Sequence, residues 1–413
     1  MNLPATGLPE MNMEENEDWD DRDGEETTDL SEVREVERAV VTDTDWTAET
    51  IISQLRRGNI QLNPRFQRRD AWDKVRKSRF IESLLLGLPI PQIVLAEDKR
   101  QRGKFIVIDG KQRLLALRQF ASGSSLAGYD TTEFSGYSLS GLDVRPDLRN
   151  YTLKDLEDDP DRIDDLNELL NQTIRTVVVR NWPDEEFLNL VFLRLNTGSV
   201  RLSPQELRQA LHPGYFTDFL DDFAVESESL HRALRLRGPD FRMRDVEILL
   251  RFFAFSEYLT TYSGNLKYFL DDTLARINQR WDQGDEDYIK HVAIECELAI
   301  EATFSTFGHE AFYRWSRGKY EGRFNRAVFD IMTFYFKEPQ VRTRLRGKEA
   351  DVKRAFEVLC TEDTSFNEAL QTTTKTPEAT HRRLAVWGRR LQGVIEYDLS
   401  IPELQDNRLV FRS

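Results

Sequence analysis

Two cysteines in 413 residues are too few for a disulfide framework. Cys296 and Cys360 both fall in helix-like segments and are expected to be reduced core residues. Histidine is as scarce. His212, His231, His291, His309 and His381 are scattered, and no two have metal-ligand spacing. No apolar run approaches the ~20 residues of a membrane span, and the acidic N-terminus has no apolar secretory core. The expectation is a soluble, cytoplasmic protein without membrane contact. Positive charge is also short, since 57 Lys and Arg face 72 Asp and Glu for a net charge of −15.

That deficit is uneven. Residues 1–38 hold fourteen acids against three arginines, a balance of −11, so the remaining positions carry only −4. A segment so acidic and so poor in apolar residues is expected to be a disordered tail. It reads first as a solubilising extension, and otherwise as a nucleic-acid mimic or the mask of a basic surface. The body of the chain is too long for one ordinary compact domain. The organisation expected is an acidic tail over 1–40, an α/β domain over 41–225 and a helical domain over 226–413.

Within 41–225 the pattern changes period repeatedly. Thr47–Leu55 reads as a helix, and Ile60 to Pro64 as extended chain. Val75–Leu86 reads as a helix stopped by Gly87, with Pro89 and Pro91 beyond. Ile93–Ala96 and Phe105–Ile108 flank a polar turn and predict a hairpin. A helix opens directly after it, 122–150 reads as a long loop, and Thr176–Val179 as a strand leading to a helix over Asp184–Leu195. From Ser227 onward the spacing predicts helices and no strand. They cover Asp245–Leu259, Lys267–Arg280, Tyr288–Phe307, Arg323–Phe336, Lys348–Leu359 and Pro377–Gln392.

The most informative stretch is Asp109-Gly110-Lys111-Gln112-Arg113. A strand ends, Gly110 allows a tight bend and a helix begins, which aims N–H groups and a positive dipole end at one point. Asp109 is expected to cap the helix, and where the cap does not use it fully it could bind a metal or accept a proton. Lys111 and Arg113 oppose the helix dipole by roughly 0.3–1 kcal/mol each, which is reasonable if a bound anion compensates. Gln112 can orient a water or a base edge.

Two further groups accompany this turn. Arg65, Gln67, Arg68 and Arg69 beside Trp72 suit phosphates and stacked bases. They equally suit a solvated basic loop with Trp72 in the core. In the second group, Ser203-Pro204-Gln205-Glu206 predicts a helix start with Pro at its first position and a capping box. Asn196 and Arg208 are left over as polar groups directed to the site.

Together these segments resemble the GmrSD restriction-endonuclease N-terminal domain family, a ParB/sulfiredoxin-like group. The resemblance rests on Pro64-Arg65-Phe66-Gln67-Arg68 with Trp72, on Ile81 to Pro91, on Asp109 to Leu114, and on Phe192 to Gly198 with Gln205 to Arg208. It covers about 45–215 and implies a ParB-like α/β fold followed by an all-α region. It also implies a domain that binds or hydrolyses GTP or ATP with Mg²⁺, in defence against phage DNA. On that footing Asp109, Gln112 and Arg113 are the candidate catalytic residues. Gly110, Lys111, Arg65, Gln67, Arg68, Asn196 and Arg208 are candidate phosphate contacts, and Arg65, Arg68, Arg69 and Trp72 candidate DNA contacts. Lys111 replaces the commoner glutamine of the family's motif. Partners implied are a nucleotide, DNA and a protein met through the helical domain. Asp351-Val352-Lys353 has the tail of a nuclease D/E-x-K site, but its helical setting marks it as structural.

Overall fold

The computed structural model describes residues 40–62, 71–126, 135–184, 187, 188, 191, 203–371 and 376–411. The predicted acidic tail and most of the predicted Asp184–Leu195 helix lie outside them.

The chain begins with β1 (Val40–Thr47) and α1 (Ala48–Arg56), where the Thr47 hydroxyl accepts from Thr50 N–H and sets the boundary. After β2 (Ile60–Gln61), Asp73 caps α2 (Lys74–Leu85), and Gly87 at φ 64° turns the chain away as predicted. Next come β3 (Ile93–Glu97), β4 (Phe105–Asp109), α3 (Lys111–Phe120), α4 (Leu153–Asp158), α5 (Ile163–Asn171) and β5 (Thr173–Arg180). The strands form one mixed sheet in the order β1-β5-β3-β4-β2. β3 and β4 make the expected antiparallel hairpin, while β5 and β2 join its two edges in parallel.

Strand alternation divides the sheet's apolar residues between two cores. Ile93, Leu95, Phe105, Val107, Ile174 and Val178 face α1, α2, α3 and α5. Val94, Ala96, Ile106, Ile108 and Val179 face Trp182, Phe187 and Leu207. Residues of β3 and β4 are thus buried on both sides, which explains why they read as continuous apolar runs.

β1, α4 and α5 were not expected. β1 pairs with β5 along its whole length although its sequence, VVTDTDWT, is mostly polar and half of its residues are exposed. It is an edge strand, placed by its ladder rather than by burial. Residues 135–145 are irregular as predicted, and Glu82 is what holds their end. Its buried carboxylate accepts from the N–H groups of Asp143 (3.2 Å), Val144 (2.8 Å) and Arg145 (2.7 Å).

From α6 (Pro204–Leu211) onward the structure is mostly helical. There follow α7 (Tyr215–Glu226), α8 (Glu228–Ala233), α9 (Arg244–Glu257), α10 (Leu266–Asp282) and α11 (Glu286–Phe307). Beyond them lie α12 (Arg326–Phe336), α13 (Pro339–Leu345), α14 (Glu349–Glu362), α15 (Thr364–Ala369) and α16 (Pro377–Ile395). The six helices predicted here match α9, α10, α11, α12, α14 and α16. Every residue of α12 is buried, as expected of a helix through the middle of a core. The expectation of no strand fails twice. β6 (Tyr313–Ser316) pairs with β7 (Lys319–Phe324), and β8 (Glu403–Gln405) with β9 (Arg408–Val410). β6, β8 and β9 have only three or four residues, and β7, KYEGRF, is polar over most of its length and does not alternate in burial.

Cys296 and Cys360 are buried free thiols, as expected, and burial pushes the Cys360 thiol up to about 12. Asp351-Val352-Lys353 lies within α14, where Val352 is buried and Lys353 pairs with Glu310, so its reading as structural stands. No helix is long and apolar enough to cross a membrane among the described residues.

Burial raises the Glu82 carboxyl, but the three N–H donors outweigh it and hold the group below its ordinary value of 4.5. The stabilisation is therefore present above that value and lost as pH falls through the lower folded value. Glu82→Gln should cost about 1–3 kcal/mol at pH 7, and its difference from wild type should shrink in more acid solution. Urea unfolding at pH 7 and pH 4 measures both, and a pH-independent difference would remove the carboxylate's charge from this account.

Candidate functional site at the Asp109–Arg113 turn

β4 ends at Asp109, which pairs with Val94 of β3. Gly110 then takes φ 98°, ψ 11°, and the helix begins at Lys111. The turn needs glycine for two reasons. The left-handed backbone disfavours a side chain, and a Cβ would lie 3.1 Å from Ile93 Cγ1 and 3.3 Å from Arg113 NH2.

The expectation that Asp109 caps the helix is corrected. The capping position belongs to Gly110, and no side chain caps α3. Asp109 is still part of the strand, one residue too early. Its Oδ2 instead accepts from Arg113 NH2 at 2.8 Å, and the same nitrogen donates to the Gln92 carbonyl at 2.9 Å. Arg113 is buried, and Asp109 keeps part of its surface in solvent.

Lys111 points to the opposite side of the turn. Its Nζ meets Glu206 Oε1 at 2.5 Å, with both side chains buried. Glu206 is doubly used, because its Oε2 accepts from Ser203 N–H at 2.7 Å while Ser203 Oγ accepts from Glu206 N–H at 3.1 Å. The predicted capping box is present. A bound anion was expected to offset the two cations of this first turn. The protein already sets a carboxylate against each, Glu206 for Lys111 and Asp109 for Arg113.

Arg208 lies one turn along α6. It was expected to face the nucleotide, but its Nε donates to Asp271 Oδ1 of α10 at 2.6 Å and its NH1 to Gln205 Oε1 at 2.7 Å. Its buried guanidinium ties α6 to the helical region. Trp72 packs edge-on against Phe80, with ring centroids 5.7 Å apart, and Arg76 lies 5.2 Å from its ring centre. That is the core-edge alternative for this ring rather than an open stacking platform. Arg65, Gln67, Arg68, Arg69 and Asn196 lie outside the described residues.

Two polar atoms at the turn are buried and lack a hydrogen-bond partner among the described residues, Gln112 Oε1 and Arg113 Nε. A buried polar atom left unpaired costs about 1–3 kcal/mol. The turn therefore presents one acceptor and one cationic donor for further bonding.

Two participants escaped the sequence reading. The Gln92 carbonyl has no side-chain signature at all. Asp271 has only the mark of an acid on a helix, and nothing local links it to Arg208 63 positions away. The counter-ion role of Glu206 was hidden behind its legible role in the cap.

Glu206→Gln keeps an acceptor for Ser203 but withdraws the charge facing Lys111. Breaking a buried pair from one side costs about 3–5 kcal/mol, and Lys111→Met in the same chain should recover much of it. A double-mutant cycle by urea unfolding tests this, and additive single effects would show that the two groups are not coupled.

The family model described as the GmrSD restriction endonuclease N-terminal domain matches residues 49–213. No curated protein and no solved structure matches the chain. The matched segment runs from α1 through α6 and so contains strands β2 to β5 of the sheet, the Asp109–Arg113 turn and the Glu206 counter-ion, while β1 lies before it. The similarity to that family therefore rests on residues 49–213, and the helices beyond them lie outside the match.

Proposed function

We propose that this protein binds and hydrolyses a nucleoside triphosphate at the Asp109–Arg113 turn and acts on or senses DNA in restriction-type defence. The observation that carries the reading is the turn itself. A strand passes through a left-handed glycine into a helix without a side-chain cap, and Gln112 Oε1 and Arg113 Nε are buried beside it without partners among the described residues. A helix opening of this kind favours phosphate oxygens. A charged guanidinium nitrogen is a strong donor to such an oxygen, and a glutamine amide can orient an attacking water. The domain's description as part of a restriction endonuclease supports the link to DNA. In this reading an α/β unit over 41–225 carries the site and a helical unit from 226 meets the partner.

Mg²⁺ fits this turn only in part. Asp109 is the turn's own carboxylate and is engaged by Arg113. Among the described residues no group of three His, Cys, Asp or Glu could hold a metal ion. Mg²⁺ would accordingly arrive with the nucleotide and be held mainly by phosphates and water, a common arrangement for this ion. Its chemistry there would be neutralisation of phosphate charge. The chain's own contribution is to orient the phosphates through the helix opening, Gln112 and Arg113.

A second reading is a nucleotide- or DNA-binding regulatory module without turnover. It is favoured by the engagement of Lys111 with Glu206 and of Arg113 with Asp109, which leaves each charged side chain of the turn with a counter-charge.

Phosphate release from GTP, ATP, CTP and UTP, with Mg²⁺ and with or without DNA, separates the two. Gln112→Leu and Arg113→Lys should each slow release at least about tenfold, the usual scale for loss of a positioning or charge-stabilising group. Saturable nucleotide binding without release would select the regulatory reading. Equal background release by wild type and both variants, with no binding, would reject both.

A further inference from the structure

One surface of the helical region has the wrong charge for this protein. Residues 232–244 hold Arg232, Arg235, Arg237, Arg242 and Arg244 against Asp240 alone, a balance of +4. Residues 313–324 hold Arg314, Arg317, Lys319 and Arg323 against Glu321 alone, a balance of +3. The two segments, remote in sequence, meet in space. The Arg235 guanidinium lies 4.9 Å from the Tyr313 ring centre, and its NH1 reaches the Gly322 carbonyl at 3.5 Å. In a chain with a net charge of −15 these two touching segments sum to +7, before Glu301 and Glu357 of the neighbouring helices are set against them.

Part of this charge is neutralised locally. Arg232 pairs with Glu301 and Arg244 with Asp240, while Arg314 and Arg323 share Glu321. Arg237, Arg317 and Lys319 have no ion-pair partner among the described residues, and all three are exposed. Their repulsion is not offset within the fold.

The ribbon β6–β7 that carries two of them is held by its other face. Tyr313 and Phe324 are buried, and Trp315 and Tyr320 pack edge to face at 4.9 Å. Trp315 Nε1 donates to Thr361 and the Tyr320 hydroxyl to Glu357, both on α14. The ribbon is therefore a fixed projection, apolar inward and cationic outward. Its tip is a two-residue turn, because Ser316 pairs with Lys319. Arg317 and Gly318 both adopt positive φ, 51° and 76°. Such turns favour Asn-Gly. Arginine in the left-handed region costs about 1–2 kcal/mol, and among the described residues Arg317 makes no side-chain hydrogen bond, ion pair or ring contact that would offset it.

We propose that the β6–β7 ribbon, with Arg235 against it and Arg237 two residues further along the chain, is a docking surface for duplex nucleic acid, separate from the Asp109–Arg113 turn. A duplex carries one negative charge per roughly 1.7 Å of axis, so several exposed cations on one region suit it better than a single ion pocket would. Its major groove, about 12 Å wide, admits a two-stranded ribbon. Arg317 at the tip can reach a phosphate or a guanine edge, and Lys319 and Arg237 the flanking backbone. This surface rests on the DNA part of the proposed function, to which it gives a place, and not on nucleotide hydrolysis at the turn.

The test is anisotropy of a fluorescein-labelled DNA duplex titrated with full-length protein over a salt series. It compares wild type with R237Q/R317Q/K319Q and with the charge-conserving R237K/R317K. The triple variant should bind about tenfold or more weakly at low salt. Its log–log salt slope should fall by about 2–3, close to 0.9 per lost phosphate contact. The lysine variant should keep the slope, and nucleotide binding and phosphate release should be unchanged in all three proteins. A triple variant with wild-type affinity and slope overturns the proposal. So does a wild type that ignores the duplex but binds a synthetic acidic peptide of residues 1–38, which would assign the surface to an acidic protein segment. Duplex binding by a wild type that releases no phosphate would count against hydrolysis at the turn and leave this surface standing.

Discussion

The buried pair between Lys111 and Glu206 is the constraint on which the rest of the site depends. Lys111 stands at the first position of α3, where a cation opposes the helix dipole. Glu206 stands in the first turn of α6, where an anion favours it. One ion pair therefore offsets an unfavourable charge at one helix with a favourable one at another, and fixes their two N-termini side by side across the sheet. Leu207 of the same helix joins Ile106 and Ile108 in the second core, so the pair sits on a packed apolar base. Low local dielectric raises the stakes, since either charge alone would be expensive to keep there.

Much of the fold was legible because its signals are local. The 3.6-residue spacing of α9, α10, α11, α12, α14 and α16, the Gly87 stop and the Ser203–Glu206 box are all written within one or two turns. What was missed is non-local. β1 is a strand because β5 offers it a complete ladder, and its polar sequence does not announce that. The ribbons β6–β7 and β8–β9 consist of very short strands, or in β7 of a polar one without alternating burial, and so give no period of two. The site followed the same division. Gly110 and the strand-to-helix turn were plain, while the actual partners of Lys111, Arg113 and Arg208 lie 95, 21 and 63 positions away in the cases of Glu206, Gln92 and Asp271.

The misreading of Asp109 is instructive in the same way. An aspartate before a helix usually caps it, but here the glycine between them moves the capping position by one. The carboxylate instead meets an arginine four residues on, and a main-chain carbonyl from the chain entering β3 meets the same guanidinium. A helix opening without a side-chain cap and an arginine held by two acceptors are thus two results of one left-handed residue.

The link from Arg208 to Asp271 bears on how this domain behaves as a unit of inheritance. The family boundary falls at residue 213, just after α6, yet the Arg208 guanidinium is buried against an acid 58 residues beyond that boundary. A cut at 213 would strip the buried arginine of its anion. In this chain the domain is therefore no interchangeable cassette. Any recombination that gave it a new neighbour would have to bring an acid to the same place or replace Arg208 in the same event.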